Sequence, residues 1–209
     1  MTFTRRHLPH WIPEETNVFV TWRLAGSPPP QAEIPVNDRS SVSLVGETSL
    51  KHGFPTGNTN RSAVIPAGLP EQSGPTWLQD PRVARVVGNA LLYGEVRRLY
   101  QLRAWVVMPN HAHAIFQPHT PMPAIMRWLK GRTSRVANRI LGRTGTAFWQ
   151  DESFDHWIRS GEELQNLIEY VENNPLKAGL VETKEQWPWS SAGWVTDDEK
   201  RSSVPPLIL

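Results

Sequence analysis

Ala104-Trp105-Val106-Val107-Met108-Pro109-Asn110-His111-Ala112-His113-Ala114-Ile115-Phe116 reads as two apolar strands about a short Pro-Asn turn, an antiparallel pair. Working upstream, Asp80-Pro81 opens a helix, and Val83, Val86, Val87, Ala90 and Leu91 recur at helical spacing with Arg82 and Arg85 off that stripe. Earlier still, Asn17 to Leu24 is dense in β-branched and aromatic residues, and Gly26 with Pro28-Pro29-Pro30 closes this first strand. Downstream, after Pro121 and Pro123, a second helix follows from Ile125, Leu129, Val136 and Ile140. Ala147 to Gln150 and Phe154 to Ile158 are extended, the latter the more strand-like. Ser160-Gly161-Glu162-Glu163 forms a capping box, and Leu164, Leu167, Ile168 and Val171 make one stripe of a third helix. That helix is expected to run to about Asn173, where Asn174-Pro175 stops it. The first six core elements are βαββαβ, which predicts the α+β class: a ferredoxin-like antiparallel sheet with helices on one face, plus a C-terminal helix.

The chain divides by composition. Residues 1–26 hold the N-terminal segment and first strand, and residues 77–194 the remaining core elements. Between them, residues 27–76 shift to Pro, Ser, Gly, Asn and Thr, and are expected to be an insertion whose composition fits disorder. The stretch 195–209 reads as a frayed tail.

Composition removes whole classes of function. With 209 residues the chain is too short for a full (β/α)₈ barrel, and no apolar run approaches a spanning helix. The basic N-terminus lacks the apolar stretch of a secretory signal, so a cytoplasmic protein with no membrane partner is expected. The absence of cysteine excludes disulfides, thiolate metal sites and a thiol nucleophile, so any metal must be held by nitrogen and oxygen. A net charge of +2 accompanies a pI of about 9.1, and there are 10 Trp against 3 Tyr. Phosphates attract Lys and Arg, and unpaired bases stack on aromatic rings, so this balance suits nucleic acid as well as a Trp-anchored core.

Three constellations could carry chemistry. Residues two apart on a strand project from one face, so His111 and His113 form a bidentate platform for Mg²⁺, Mn²⁺ or Zn²⁺, or else two polar residues on a solvated face. Tyr170 and Asn174, four apart, share one side of the third helix; a tyrosine hydroxyl can attack a phosphodiester and an amide oxygen can ligate a metal, although packing is the commoner use of such a tyrosine. Lys130, Arg132, Arg135, Arg139 and Arg143 are the densest positive cluster, and Arg132, Arg135 and Arg139 lie on one helix face that could follow a phosphate backbone or simply be solvated.

Met108-Pro109-Asn110-His111-Ala112-His113, followed by Tyr170-Val171-Glu172-Asn173-Asn174-Pro175-Leu176-Lys177-Ala178-Gly179-Leu180-Val181, resembles the REP-associated tyrosine transposases. These are single-tyrosine HUH transposases, HUH denoting His, a hydrophobic residue, His. Arg6 to Trp11, Phe19 to Leu24, Phe148 to Gln150, Asp155 to Arg159 and Trp187 to Ser191 support the resemblance, which spans Arg5 to Trp194 apart from the insertion. It implies a metal-dependent endonuclease and strand transferase for single-stranded DNA. By likeness His111 and His113 hold Mg²⁺ or Mn²⁺ with Asn174 as third ligand, and Tyr170 forms a 5′-phosphotyrosine. The substrates implied are REP palindromes that fold into hairpins with a short recognition sequence at the foot. A hairpin-binding protein without catalysis is the alternative, and an unrelated hydrolase would leave the downstream Tyr and Asn-Pro segment a coincidence. Relatives of this kind include monomers and homodimers, and both remain open. The Trp residues inside family motifs, among them Trp22, Trp149, Trp157, Trp187 and Trp189, are expected to be scaffold.

Overall fold

The computed structural model describes residues 16–28 and 74–193. The expectations for 1–15, for nearly all of the 27–76 insertion and for the 195–209 tail lie outside them. The elements are β1 (Val18–Arg23), α1 (Pro81–Val96), β2 (Tyr100–Val107), β3 (His111–Pro118), α2 (Met122–Ile140), β4 (Phe154–Trp157), α3 (Gly161–Glu172) and the one-turn α4 (Asn174–Lys177). The sheet order is β2-β3-β1-β4 and every pairing is antiparallel. This is the expected split βαβ arrangement.

Strand alternation sorts the side chains into two layers. Val18, Val20, Trp22 and Leu24 of β1 join Ala112, Ala114 and Phe116 of β3 in the main core with the apolar stripes of α1 and α2. The opposite face carries Phe19, Thr21 and Arg23 beside His111 and His113, and α3 packs across it over β2 and β3. In β2 a bulge between Leu102 and Ala104 shifts the register, so Tyr100 and Leu102 but then Trp105 and Val107 reach the main core. The outer edge of β2 is covered by Trp187–Ser191: the Val107 amide donates to the Trp189 carbonyl at 2.8 Å, the Ser191 amide to the Trp105 carbonyl at 2.9 Å, and Trp187 Nε1 to the Val107 carbonyl at 3.0 Å. Trp22 and Trp149 are buried, Trp157 and Trp189 pack partly against the same core, and Trp149 Nε1 donates to Thr133 Oγ1 at 2.8 Å. These tryptophans are scaffold, as expected.

Helix ends follow local chemistry, with two corrections. Asp80 caps α1 as expected, its Oδ1 accepting the Arg82 amide at 2.9 Å. Ser160 Oγ likewise accepts the Glu163 amide at 3.1 Å, but the reciprocal half of the box is displaced. Glu163 instead accepts the Arg159 amide at 2.7 Å and bonds His156 Nε2 at 2.7 Å, joining β4 to the start of α3. Second, α2 begins at Met122, before Pro123, because proline is tolerated in a first turn where its missing N–H has no intrahelical partner. The end of α3 is as expected: it closes at Glu172 with Asn173 as its C-cap, and Asn174-Pro175 then open the separate turn α4.

Burial alone would raise Glu163, but the Arg159 amide and the His156 ring outweigh it and hold the carboxyl below its ordinary 4.5. A carboxyl depressed in the folded state contributes stability above the unfolded value and loses it as pH falls through the folded one. Glu163→Gln is therefore expected to lower unfolding free energy by about 1 kcal/mol at neutral pH, a deficit that closes on acidification below about pH 4.5. Urea melts of both proteins across that range check it.

One close approach fixes how α1 meets β2. A Cβ on Gly94 would collide with the Tyr100 ring and hydroxyl, and that hydroxyl donates to the Leu91 carbonyl at 2.8 Å. Gly94→Ala is expected to destabilise by about 2 kcal/mol, although alanine is the better helix former by about 1 kcal/mol, because overpacking and loss of the buried hydrogen bond outweigh propensity. The denaturant midpoint measures it.

Candidate active site

Register between β1 and β3 sets Thr21 opposite His113 and Arg23 opposite His111. Both histidines are buried on the face covered by α3. Asn110, the last residue of the turn, places Oδ1 2.6 Å from His111 Nδ1, and Thr21 Oγ1 lies 2.7 Å from His113 Nδ1. The amide oxygen of Asn110 can only accept, so His111 carries its proton on Nδ1 and leaves the Nε2 lone pair free. The Thr21 hydroxyl can either donate to or accept from His113, so that ring can present either a lone pair or an N–H at Nε2.

The two Nε2 atoms face each other at 3.0 Å. Burial, mutual repulsion and the neighbouring Arg23 guanidinium hold His111 well below its ordinary value, while burial and then Arg23 push His113 down to about 3. Both rings are therefore neutral near pH 7.

This donor set fits a divalent cation. At 3.0 Å the two Nε2 atoms are within hydrogen-bond distance of each other, and as neutral imidazoles converging on one point they would serve together as nitrogen donors to a metal. The Asn110 and Thr21 contacts are the kind that orient metal-bound imidazoles. Among the described residues no cluster of three or more His, Cys, Asp or Glu surrounds a common point.

α3 delivers the tyrosine. Leu167 and Val171 are its buried residues, and Tyr170 beside them lies half-buried with its ring 5.6 Å from that of His113 and 6.1 Å from Phe19, edge-on to both. Phe19 in turn stacks on His113 at 5.4 Å. Lys177 of α4 holds Nζ 5.1 Å above the Tyr170 ring. Asn174 is buried one turn beyond Tyr170 as the first residue of α4, and its amide is not hydrogen-bonded to either imidazole.

The basic cluster lies elsewhere. α2 packs on the face away from the histidines, and the cations on it and just after it have separate employments. Lys130 Nζ donates to the carbonyls of Gln150, Asp151 and Glu152 at 3.0–3.1 Å, and burial pulls its ammonium down to about 8 against the attraction of Asp151 and Glu152. The Arg143 guanidinium sits 3.9 Å over the Trp77 ring and that of Arg132 5.7 Å over Tyr93, whereas Arg135 and Arg139 are exposed. Sequence reasoning missed Thr21, Arg23, Asn110 and Lys177. Only Asn110, adjacent to His111, carried a local signal; Thr21 and Arg23 reach the site through register.

An antiparallel split βαβ domain with a buried His-x-His pair beneath a tyrosine-bearing helix is the class of protein that this fold and site define. Residues 86–174 match the family model described as transposase IS200 like, a segment that includes both histidines, Tyr170 and Asn174. A REP-associated tyrosine transposase of Escherichia coli is 26% identical over 109 residues, 51% of this chain and 63% of the relative. A Haemophilus influenzae protein carrying the same family name is 39% identical over 104 residues, 44% of this chain and 58% of its own. The chain thus spans about three fifths of the length of these curated relatives. A solved structure, described as a REP-associated tyrosine transposase bound to a REP hairpin, matches 100% of this chain and 96% of its own with a TM-score of 0.54 at 18% identity, a likeness of fold. The resemblance read from the sequence holds: this chain is similar to the REP-associated tyrosine transposases. Among the described residues no helix is long and apolar enough to cross a membrane.

Proposed function

We propose that this chain is a DNA transposase that cuts and rejoins single-stranded DNA at hairpins of the REP type, with Tyr170 as nucleophile. The observation that carries the reading is the convergence of the His111 and His113 Nε2 atoms at 3.0 Å beside the ring of Tyr170. Tyr170 Oη attacks the scissile phosphorus; the Oη–P bond forms, the P–O3′ bond breaks, and the phenolic proton is balanced by protonation of the departing 3′ oxygen. The products are a 5′-phosphotyrosine and a free 3′-hydroxyl, and reversal with a different 3′ end rejoins the strand. A divalent ion bound by His111 and His113, with the Asn174 amide as the proposed third ligand, supplies polarisation of the phosphate oxygens and offsets developing charge. Two imidazole donors favour Mn²⁺ over Mg²⁺, which prefers oxygen. Lys177 places positive charge over the Tyr170 ring, beside the reacting phosphate of this reading.

The deciding experiment incubates the chain with a labelled hairpin bearing single-stranded arms, with Mn²⁺ or with a chelator. A denaturation-resistant protein–DNA adduct that needs the metal supports the reading. Hairpin binding with no adduct would make the chain a binding protein without catalysis.

Arg135 and Arg139 lie on the layer away from the histidines, where they can hold phosphates of a stem rather than the reacting one. Arg135→Gln and Arg139→Gln are each expected to weaken hairpin binding and reduce the slope of log affinity against log salt by about 1. Lys130→Met, whose ammonium is engaged with three carbonyls, is expected to lower the melting temperature and leave that slope unchanged. Salt titrations of binding separate the two.

A further inference from the structure

Phe154 is one of four large apolar side chains left exposed among the described residues, at 39% of its surface, and it stands beside the site just described. β4 pairs with β1 so that Phe154 lies directly across from Thr21, which lies directly across from His113. Phe154, Thr21 and His113 therefore form one row on one face of the sheet. Two strand spacings, about 10 Å, separate the first Cα from the last, a length that a nucleotide and its neighbour cover.

The aromatic contacts continue along the same row. Phe154 meets Phe19 at 6.5 Å with an interplanar angle of 64°, and Phe19 meets both His113 and Tyr170. A ring held edge-to-face from below and open to solvent is suited to receive a flat partner. Val96, Leu176 and Leu180, the other exposed apolar side chains, have no π-face to offer.

We propose that Phe154 is the stacking platform for an unpaired base flanking the phosphate attacked by Tyr170. The inference rests on the function proposed above and adds a base-binding subsite to it. Aromatic stacking is tolerant of base identity, so the subsite selects for a single strand rather than for a sequence. A paired base is already stacked on both sides and cannot reach the ring.

The test uses the full chain carrying Tyr170→Phe, so that DNA is not consumed. Fluorescence anisotropy measures affinity for a hairpin with single-stranded arms and for the same hairpin with one abasic site stepped along the arm. Adding Phe154→Leu is expected to weaken binding about tenfold, and Phe154→Trp to preserve it. One abasic position should cost the parent protein about the same factor and cost the Phe154→Leu protein nothing more. An abasic scan with equal losses in both proteins, or a Trp variant as weak as the Leu variant, overturns the subsite while leaving the nuclease reading intact. A parent protein that binds neither hairpins nor single strands overturns both.

Discussion

Tyr170→Phe is expected to reduce formation of the covalent protein–DNA adduct by at least about 10⁴-fold while changing hairpin affinity by less than about twofold. The substitution removes one oxygen and keeps the ring that packs edge-on against His113 and Phe19, so α3 retains its seat on the sheet. Single-turnover adduct formation on denaturing gels, beside equilibrium binding of the same hairpin, separates nucleophile from scaffold. Persistence of the adduct would require another hydroxyl, and the remaining tyrosines are badly placed to supply it. Tyr100 is buried in the main core with its hydroxyl bonded to the Leu91 carbonyl, and burial raises its pKa far above the phenol range. Tyr93 belongs to α1, stacked on Trp128 with Arg132 above it, in the helical layer away from the histidines. An adduct surviving the substitution would therefore overturn the assignment of the site as a whole.

His113→Ala is expected to abolish metal-dependent cleavage and to weaken Mn²⁺ binding by at least about a hundredfold, and His111→Ala to do the same. Each removes one of two converging Nε2 donors and leaves a single imidazole beside the proposed Asn174 amide. His113 is fully buried, so its loss also opens a small void and leaves Thr21 Oγ1 without its partner. For that reason the readout is Mn²⁺ binding followed by electron paramagnetic resonance, with the circular dichroism spectrum as control for folding. Unchanged Mn²⁺ affinity in both well-folded variants would show that the pair is not a metal site. Unchanged cutting with chelator present would remove the metal from the chemistry altogether.

Much of this molecule was legible because its signals are local. Asp80 before Pro81 and Ser160 three residues before Glu163 placed two helix starts correctly, since capping is satisfied within one turn. The strand pair around Pro109-Asn110 was legible in its apolar runs, although β2 extends back to Tyr100 through a bulge that breaks its alternation. The end of α3 was legible from Asn174-Pro175, whereas the single helical turn of α4 that follows Asn173 carried no signal of its own. The basic cluster on α2 and the turn after it was visible as charge, but charge does not specify its partner: Lys130 serves three carbonyls, Arg143 lies over Trp77, and Arg135 and Arg139 remain exposed.

The sequence by itself determined the order of elements, the placement of His111 and His113 on one strand face, and Tyr170 and Asn174 one turn apart. Each follows from a backbone period, two along a strand or 3.6 along a helix, that acts over a few residues. The tertiary structure alone decided that α3 covers the histidine face while α1 and α2 cover the other. It also decided that Thr21 and Arg23 meet the histidines through register, and that Phe154 lines up with them. Those outcomes depend on pairings between segments from about ninety to about 130 residues apart, selected by which buried faces fit together, and no local period encodes that choice.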